Sequence, residues 1–192
     1  MVTADKDQVQ AEYGFVFVHI PKTAGRSILS ALGIKFHCQH LRMVDYEEKL
    51  GAAELAKRFK FAVVRNPWDR AVSVYHFFHF KQHRRHGGEF VEWVKKFAVK
   101  NRTLDQLGYL RTKDGKIACD LILRFENLDA ESAELKAKIS IFPDHLPNIG
   151  KNREGFTGER LPYRHYYKED AEAIEAIRAS NRELIDRFGY TY

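Results

Sequence analysis

The stretch that decides the fold is residues 15–27, Phe15-Val-Phe-Val-His-Ile-Pro-Lys-Thr-Ala-Gly-Arg-Ser27. Its nearly continuous apolar start predicts a strand covered on both faces, which we place in the middle of a sheet. A proline ends the strand, and Gly25 begins a helical pattern. We expect the N–H groups and hydroxyls of Thr23 and Ser27 to face an anion, with Lys22 as its positive charge. An ordinary strand-turn-helix joint with a solvated lysine is the alternative.

A second stretch, residues 61–73, repeats this arrangement as Phe61-Ala-Val-Val-Arg-Asn-Pro-Trp-Asp-Arg-Ala-Val-Ser73. An apolar strand ends at Arg65, Asn66 is a residue type preferred at the helix N-cap, and a proline takes the first helical position. Arg65 and Ser73, two turns into the helix, are placed to reach one anion. Because ligands bind outside the carboxyl ends of strands in open α/β sheets, the two strand ends predict one site for a ligand with two anionic groups. A surface ion pair between Arg65 and Asp69 is the alternative.

These motifs resemble those of sulfotransferases that use 3′-phosphoadenosine 5′-phosphosulfate (PAPS). Residues 19–27 look like their 5′-phosphosulfate loop, and residues 61–73 look like their 3′-phosphate motif in the form of the carbohydrate sulfotransferase branch. Residues 121–128 and 188–190 are similar to that branch as well. The resemblance implies a P-loop nucleotide-kinase-like, three-layer α/β fold with a mainly parallel central sheet flanked by helices. The chain departs from the family at Arg26, where a small or hydroxyl residue is common.

The resemblance also implies a reaction. We expect in-line transfer of a sulfuryl group from PAPS to a hydroxyl acceptor, with a carbohydrate favoured, release of 3′-phosphoadenosine 5′-phosphate (PAP) and no metal requirement. Lys22 would bind the 5′ end and stabilise charge as the bond to sulfur breaks, while Arg65 and Ser73 would hold the 3′-phosphate. The other residues around the 5′ end would be Thr23, Ala24, Gly25, Arg26 and Ser27.

A hydroxyl acceptor needs a base, and histidine has the side-chain pKa nearest to the operating pH. We expect His40, between the two motifs, to take the acceptor's proton, as a histidine in this position does in the resembling branch. His37 is the second candidate. Glu126, which follows a third predicted strand over 119–125, is another, although a structural pair between Arg124 and Glu126 fits the sequence equally well.

Length and composition favour a single globular domain with residues 1–13 as a loose lead-in. The chain has 192 residues, of which 44% are hydrophobic, and a net charge of +6 that suits anionic ligands. Cys38 and Cys119 form no metal-binding pattern, and no apolar run approaches the ~20 residues of a membrane span. We therefore expect a cytoplasmic protein. The resemblance implies that it takes a small-molecule or saccharide acceptor and binds no nucleic acid.

Later segments carry further predictions. Helices are expected over 129–140 and 168–188, and the basic, glycine-bearing loop 148–164 resembles a late loop that helps to cover PAPS. Four histidines share one face if the helix after residue 67 persists, which would suit either a metal ion or a basic stripe that binds the acceptor. These are His76, His79, His83 and His86.

Two other functions remain open. A nucleotide-dependent kinase or phosphotransferase would share the strand-loop-helix element, but the chain lacks G-x-x-x-x-G-K-[ST], and such an enzyme would depend on magnesium. A non-catalytic polyanion-binding module would explain the basic stretch over 76–86 but not two anion-binding turns at matched strand ends. Its binding would weaken steeply with salt.

Overall fold

The structure is a computed structural model that describes residues 5–34, 40–81, 89–98, 104–147 and 161–192, without the side chains of 78–81 and 97–98. By its contacts the chain divides into two compact units. The first unit consists of Met1–Val64 with Tyr109–Asn152, and the second of Arg65–Gly108 with Arg153–Tyr192. The prediction that the chain forms a single domain stays a prediction.

In the described ranges helices outnumber strands, with two strands in the first half of the chain and one in the second. In chain order they are α1 (Lys6–Glu12), β1 (Phe15–Val18), α2 (Gly25–Ala31), α3 (Met43–Leu50), α4 (Ala52–Lys57), β2 (Phe59–Val64), α5 (Pro67–Lys81), α6 (Phe90–Trp93), β3 (Leu121–Arg124), α7 (Leu128–Lys138), α8 (Tyr163–Tyr167), α9 (Ala171–Ser180) and α10 (Arg182–Phe188). A π-helix, Val94–Ala98, continues α6. None of the helices in the described ranges has both the length and the apolar character that a membrane crossing needs.

The first unit is built on a three-stranded parallel sheet in the order β1-β2-β3. All four residues of β1 are buried, and the ring of Phe61 on β2 lies 5.9 Å from that of Phe15 and 4.9 Å from that of Phe17. Each buried phenylalanine contributes about 1.5–3 kcal/mol through its apolar surface. The α/β class with a parallel sheet flanked by helices, as predicted from the sequence, is confirmed.

Two sequence-based expectations about the start of the chain are wrong. Among the described strands β2 is central and β1 lies on the outside, where its backbone is completed by side chains. The N–H of Phe17 donates to Gln10 Oε1 at 2.7 Å, and the hydroxyl of Tyr46 donates to the carbonyl of Phe17 at 3.2 Å. Gln10 lies on α1, so the expected loose lead-in is a helix with Val9 in the core.

The second unit packs α5, α8 and α9 around buried aromatic residues. The indole N–H of Trp68 on α5 donates to the carbonyl of Ile174 at 3.0 Å, and the hydroxyl of Tyr167 donates to the carbonyl of Trp68 at 3.1 Å. The helix predicted over 168–188 is interrupted, because Asn181 is buried between α9 and α10 and donates through Nδ2 to the carbonyl of Ile177 at 3.1 Å.

Candidate functional site

The loop between β1 and α2 has an unusual backbone. Lys22 has φ 72° and Ala24 has φ 66°, so two residues that are not glycine adopt the left-handed region on either side of Thr23. Such a conformation costs an L-residue roughly 1–2 kcal/mol and is often found where a function requires it. Left-handed residues alternating with right-handed ones turn successive N–H groups to one side and form a concave site for an anion.

Two donors assigned to this loop from the sequence are used inside the protein. The hydroxyl of Thr23, which is 1% exposed, donates to the carbonyl of Ile20 at 2.8 Å. The N–H of Ser27 donates to the carbonyl of Ala24 at 2.9 Å in the first turn of α2. A hydroxyl has one hydrogen to donate, so Thr23 closes the turn after β1 instead of donating that hydrogen to a ligand.

The ring of His19 lies against the beginning of α2. His19 is 3% exposed, and its ring stacks on that of Phe17 with centroids 5.7 Å apart. A Cβ atom at position 25 would lie 1.9 Å from both Cδ2 and Nε2 of His19. Gly25 does not have a positive φ. Glycine is therefore needed here because of the histidine ring, not because of the backbone angle.

His40, the predicted base, is exposed and lies next to His19. Its Nδ1 is 3.1 Å from the carbonyl oxygen of His19, and the two rings meet edge to face with centroids 4.5 Å apart. A carbonyl oxygen only accepts, so this hydrogen bond places the proton on Nδ1 of a neutral His40 and the lone pair on Nε2. The arrangement gives His40 the tautomer that a base acting through Nε2 requires.

Burial keeps His19 neutral. It lowers the pKa of His19 to about 3, and the neighbouring His40, Lys6 and Lys22, which are groups that can carry a positive charge, act in the same direction. Lys6 on α1 is itself buried, with its ammonium 5.8 Å from the ring centre of Phe17, and burial lowers its pKa to about 8. His40 is thus the exposed histidine of this pair, and His19 is the one held in neutral form.

The second motif, in the second unit, surrounds Arg65. Its Nε and Nη2 donate to Oδ2 of Asp69 at 2.8 and 2.6 Å, so the ion pair that the sequence left open is present. Arg65 is only 4% exposed, however, so the arginine of this ion pair is buried and does not lie at the surface. Asn66 caps α5 as predicted, since its Oδ1 accepts from the N–H groups of Trp68 and Asp69 at 3.1 and 3.2 Å.

Gln106 holds the backbone of Arg65, a role that no sequence pattern indicated. The N–H of Arg65 donates to Gln106 Oε1 at 2.9 Å, and Gln106 Nε2 donates to the carbonyl of Arg65 at 2.7 Å. Gln106 is fully buried. A single glutamine 41 positions away in the chain leaves no local pattern that would have indicated this contact.

Helix α5 is buried on more sides than its apolar pattern indicated. The pattern 68, 71, 72, 75 and 78 predicts one apolar face, with Arg70 and Ser73 at the surface, but Ser73 is 4% exposed and Arg70 is 1% exposed. Arg70 reaches the carbonyl of Leu104 at 3.3 Å through Nη1. Trp68, Ala71 and Val72 lie in the apolar cluster of this unit, as the pattern predicts. The binding of a 3′-phosphate by Arg65 and Ser73 stays a prediction.

The remaining candidates are only partly described. Arg124 forms an ion pair with Glu131 at 2.7 Å. The pair with Glu126 that the sequence suggested stays a prediction, and Glu126, which is exposed, stays a candidate base. The ring of His76 packs edge to face against Tyr166 at 4.9 Å. Several predicted residues lie outside what the structure describes: His37, Cys38, the His79 side chain, His83, His86, Lys151, Arg153 and Arg160.

The structure therefore brings the predicted residues together in two groups. Lys22, Gly25 and His40 lie around His19 in the first unit, and Arg65 lies with Asn66 and Gln106 in the second. Within the described ranges, no three histidine, cysteine, aspartate or glutamate side chains are grouped so that they could hold a metal ion.

Comparison with known proteins identifies one family. The model of a family described as "Sulfotransferase family" matches residues 8–191, a stretch that includes both motifs and nearly the whole chain. No curated protein matches the chain, and no solved structure does.

Proposed function

We propose that this chain, which belongs to the sulfotransferase family, transfers a sulfuryl group from PAPS to a hydroxyl acceptor, with a carbohydrate as the favoured class. Family membership establishes sulfuryl transfer as the reaction class and makes the protein a transferase. The donor, the acceptor and the base are the parts that we add. The cytoplasmic location expected from the sequence is also part of the proposal, and fractionation of cells that express the full chain tests it.

One observation carries the proposal. The loop that begins at Lys22 has two left-handed residues, as an anion-binding turn does. The exposed His40 contacts His19, and the ring of His19 lies against Gly25 at the end of this loop. A cation, a concave run of backbone N–H groups and a base are the elements that transfer of a charged group between oxygens requires. The residues present therefore fit the 5′ end of PAPS, with the hydroxyl of Thr23 excepted.

Each residue then has a distinct part in the reaction. PAPS supplies an activated sulfuryl group when it is bound. Lys22 stabilises the negative charge that grows on the departing phosphate oxygen, because its ammonium carries a fixed positive charge at working pH. His40 removes the acceptor's hydroxyl proton through Nε2, since its Nδ1 is engaged by the carbonyl of His19. Binding of the 3′-phosphate is assigned to Arg65, as the resemblance implies; its backbone is held by Gln106 and its guanidinium is paired with Asp69.

The proposal is tested first by ligand-induced stabilisation. PAP at 100 times its dissociation constant should add about 2.7 kcal/mol, which corresponds to roughly 5–10 °C in the unfolding midpoint of a chain of this size. Lys22→Gln should bind PAP more weakly and lose transfer of sulfate from PAPS, whereas Lys22→Arg should retain part of both. Lys57→Gln, a change at an exposed lysine, serves as the matched control.

Other outcomes would favour the other functions. A shift with ATP and magnesium but none with PAP would replace the donor by a nucleoside triphosphate and support a phosphotransferase. Binding that ignores adenosine and decreases steeply with salt would support a polyanion-binding module. Normal transfer by Lys22→Gln would refute the role of Lys22.

A further inference from the structure

We propose that His19 is a positioning residue that sets the place of both the donor loop and His40, an inference that rests on the proposed function. His19 carries out this role as a neutral ring and takes no part in proton transfer. In the sequence, His19 is only one residue of the predicted strand and of the stretch that resembles the 5′-phosphosulfate loop. Three features of its surroundings support the proposal.

The first feature is the contact between His19 and Gly25. The ring of His19 occupies the space that any side chain at position 25 would need, since a Cβ atom there would come to 1.9 Å from two ring atoms. Atoms of this kind do not approach closer than about 3 Å without displacement, so the beginning of α2 rests directly on the ring. The ring of Phe17 also stacks on this ring, at a centroid distance of 5.7 Å.

The second feature is that the same residue contacts the base. The backbone carbonyl of His19 is 3.1 Å from Nδ1 of His40, and the imidazole rings of the two residues are 4.5 Å apart. A displacement of His19 would therefore move the loop and the base together. Because a misplacement of about 1 Å can cost a catalyst roughly 100-fold in rate, such a shared support has a direct effect on turnover.

The third feature is the charge around the ring. His19 faces Lys6 from α1, Lys22 from the loop and His40, and all of these groups can carry a positive charge. Protonation of a ring that is 3% exposed among such neighbours is unfavourable. His19 therefore stays neutral when His40 receives a proton, and it does not compete with His40 as a base.

A double-mutant cycle on the whole chain tests the contact. Gly25→Ala should lower the unfolding midpoint, and His19→Ala should lower it through the lost ring. In the double variant the new methyl group at position 25 occupies the space that the His19 ring has left. The decrease in the unfolding midpoint of the double variant should therefore be smaller than the sum of the two single decreases. Strictly additive effects would show that the two positions do not act together. This measurement needs no ligand and stays valid if PAPS is not the donor.

His19→Phe separates positioning from proton transfer. It keeps a neutral ring, so its kcat should lie closer to that of the original protein than the kcat of His19→Ala, which should fall about 100-fold. Equal losses in the two variants, with both folded, would overturn the proposal and indicate that the imidazole itself reacts.

The tautomer of His40 supplies an independent readout. Nitrogen-15 spectra of the imidazole rings, recorded without ligand, should show His40 protonated at Nδ1 in the original protein and in His19→Phe. His19→Ala should lose part of this tautomer and shift the acidic limb of the pH profile of kcat/KM, which reports the pKa of the base. An unchanged tautomer together with an unchanged profile in His19→Ala would contradict a positioning role.

Discussion

Replacing Gln106 tests how the second motif is held. The side chain is fully buried and makes hydrogen bonds of 2.9 and 2.7 Å with the N–H and carbonyl of Arg65. Gln106→Ala removes both hydrogen bonds from these buried backbone groups, at about 1–3 kcal/mol each. With a small cavity added, we expect a loss of about 3–5 kcal/mol. That loss corresponds to a decrease in the unfolding midpoint of roughly 6–20 °C, and PAP should bind more weakly because Arg65 is no longer fixed.

Two further variants separate the causes. Gln106→Met keeps most of the side-chain volume but has no hydrogen bond to offer, so it should still lose about 2–3 kcal/mol of stability in urea titrations. Gln8→Ala removes an exposed glutamine from α1 and should change stability by no more than about 0.5 kcal/mol. If Gln106→Met proves as stable as Gln8→Ala, the two hydrogen bonds do not hold Arg65 and the reasoning is refuted.

Two other predictions concern Lys6 and the strained loop. Burial lowers the pKa of Lys6 from 10.5 to about 8. Between these two pH values the amine of Lys6 is protonated in the unfolded chain and neutral in the folded one. The free energy of unfolding should therefore rise by about 3 kcal/mol as the pH increases over this range. Lys6→Met should remove this rise in urea titrations at pH 7.5 and 10, and an identical rise in both proteins would contradict the burial. Ala24→Gly relieves a φ of 66° and should leave the unfolding free energy unchanged or raise it by up to about 1 kcal/mol. Ala53→Gly in α4 should lose about 0.5–1 kcal/mol, and an equal loss at Ala24 would show that its backbone is not strained.

The features that the sequence predicted well are those with local causes. The apolar runs of β1 and β2 predict buried strands without knowledge of the elements that pack on them. Asn66 followed by proline predicts where α5 begins, because both residues are favoured at the start of a helix. The turn after β1 was located for the same reason, because Lys22 and Gly25 lie only three positions apart in the chain. That this turn binds an anion stays a prediction. The family match covers both motifs.

The features that the sequence missed depend on distant contacts or on polar residues in the interior. Helix α1 looked like a loose segment because two of its buried residues, Lys6 and Gln10, are polar, and hydropathy cannot show that they cover Phe17 and Tyr46. The hydroxyl of Thr23 was assigned to a ligand although a carbonyl three residues earlier was also within reach. Residue type alone does not decide between two such partners.

The covering of β1 also bears on how the protein avoids self-association. An outer strand with free N–H and carbonyl groups can add a strand from another molecule and start aggregation. At Phe17 both groups are already occupied by the side chains of Gln10 and Tyr46, so this position has no backbone group to offer. Helix α1 should therefore protect this edge of β1 as well as pack against it, and a shortened chain that began at β1 would expose an apolar strand edge to its neighbours.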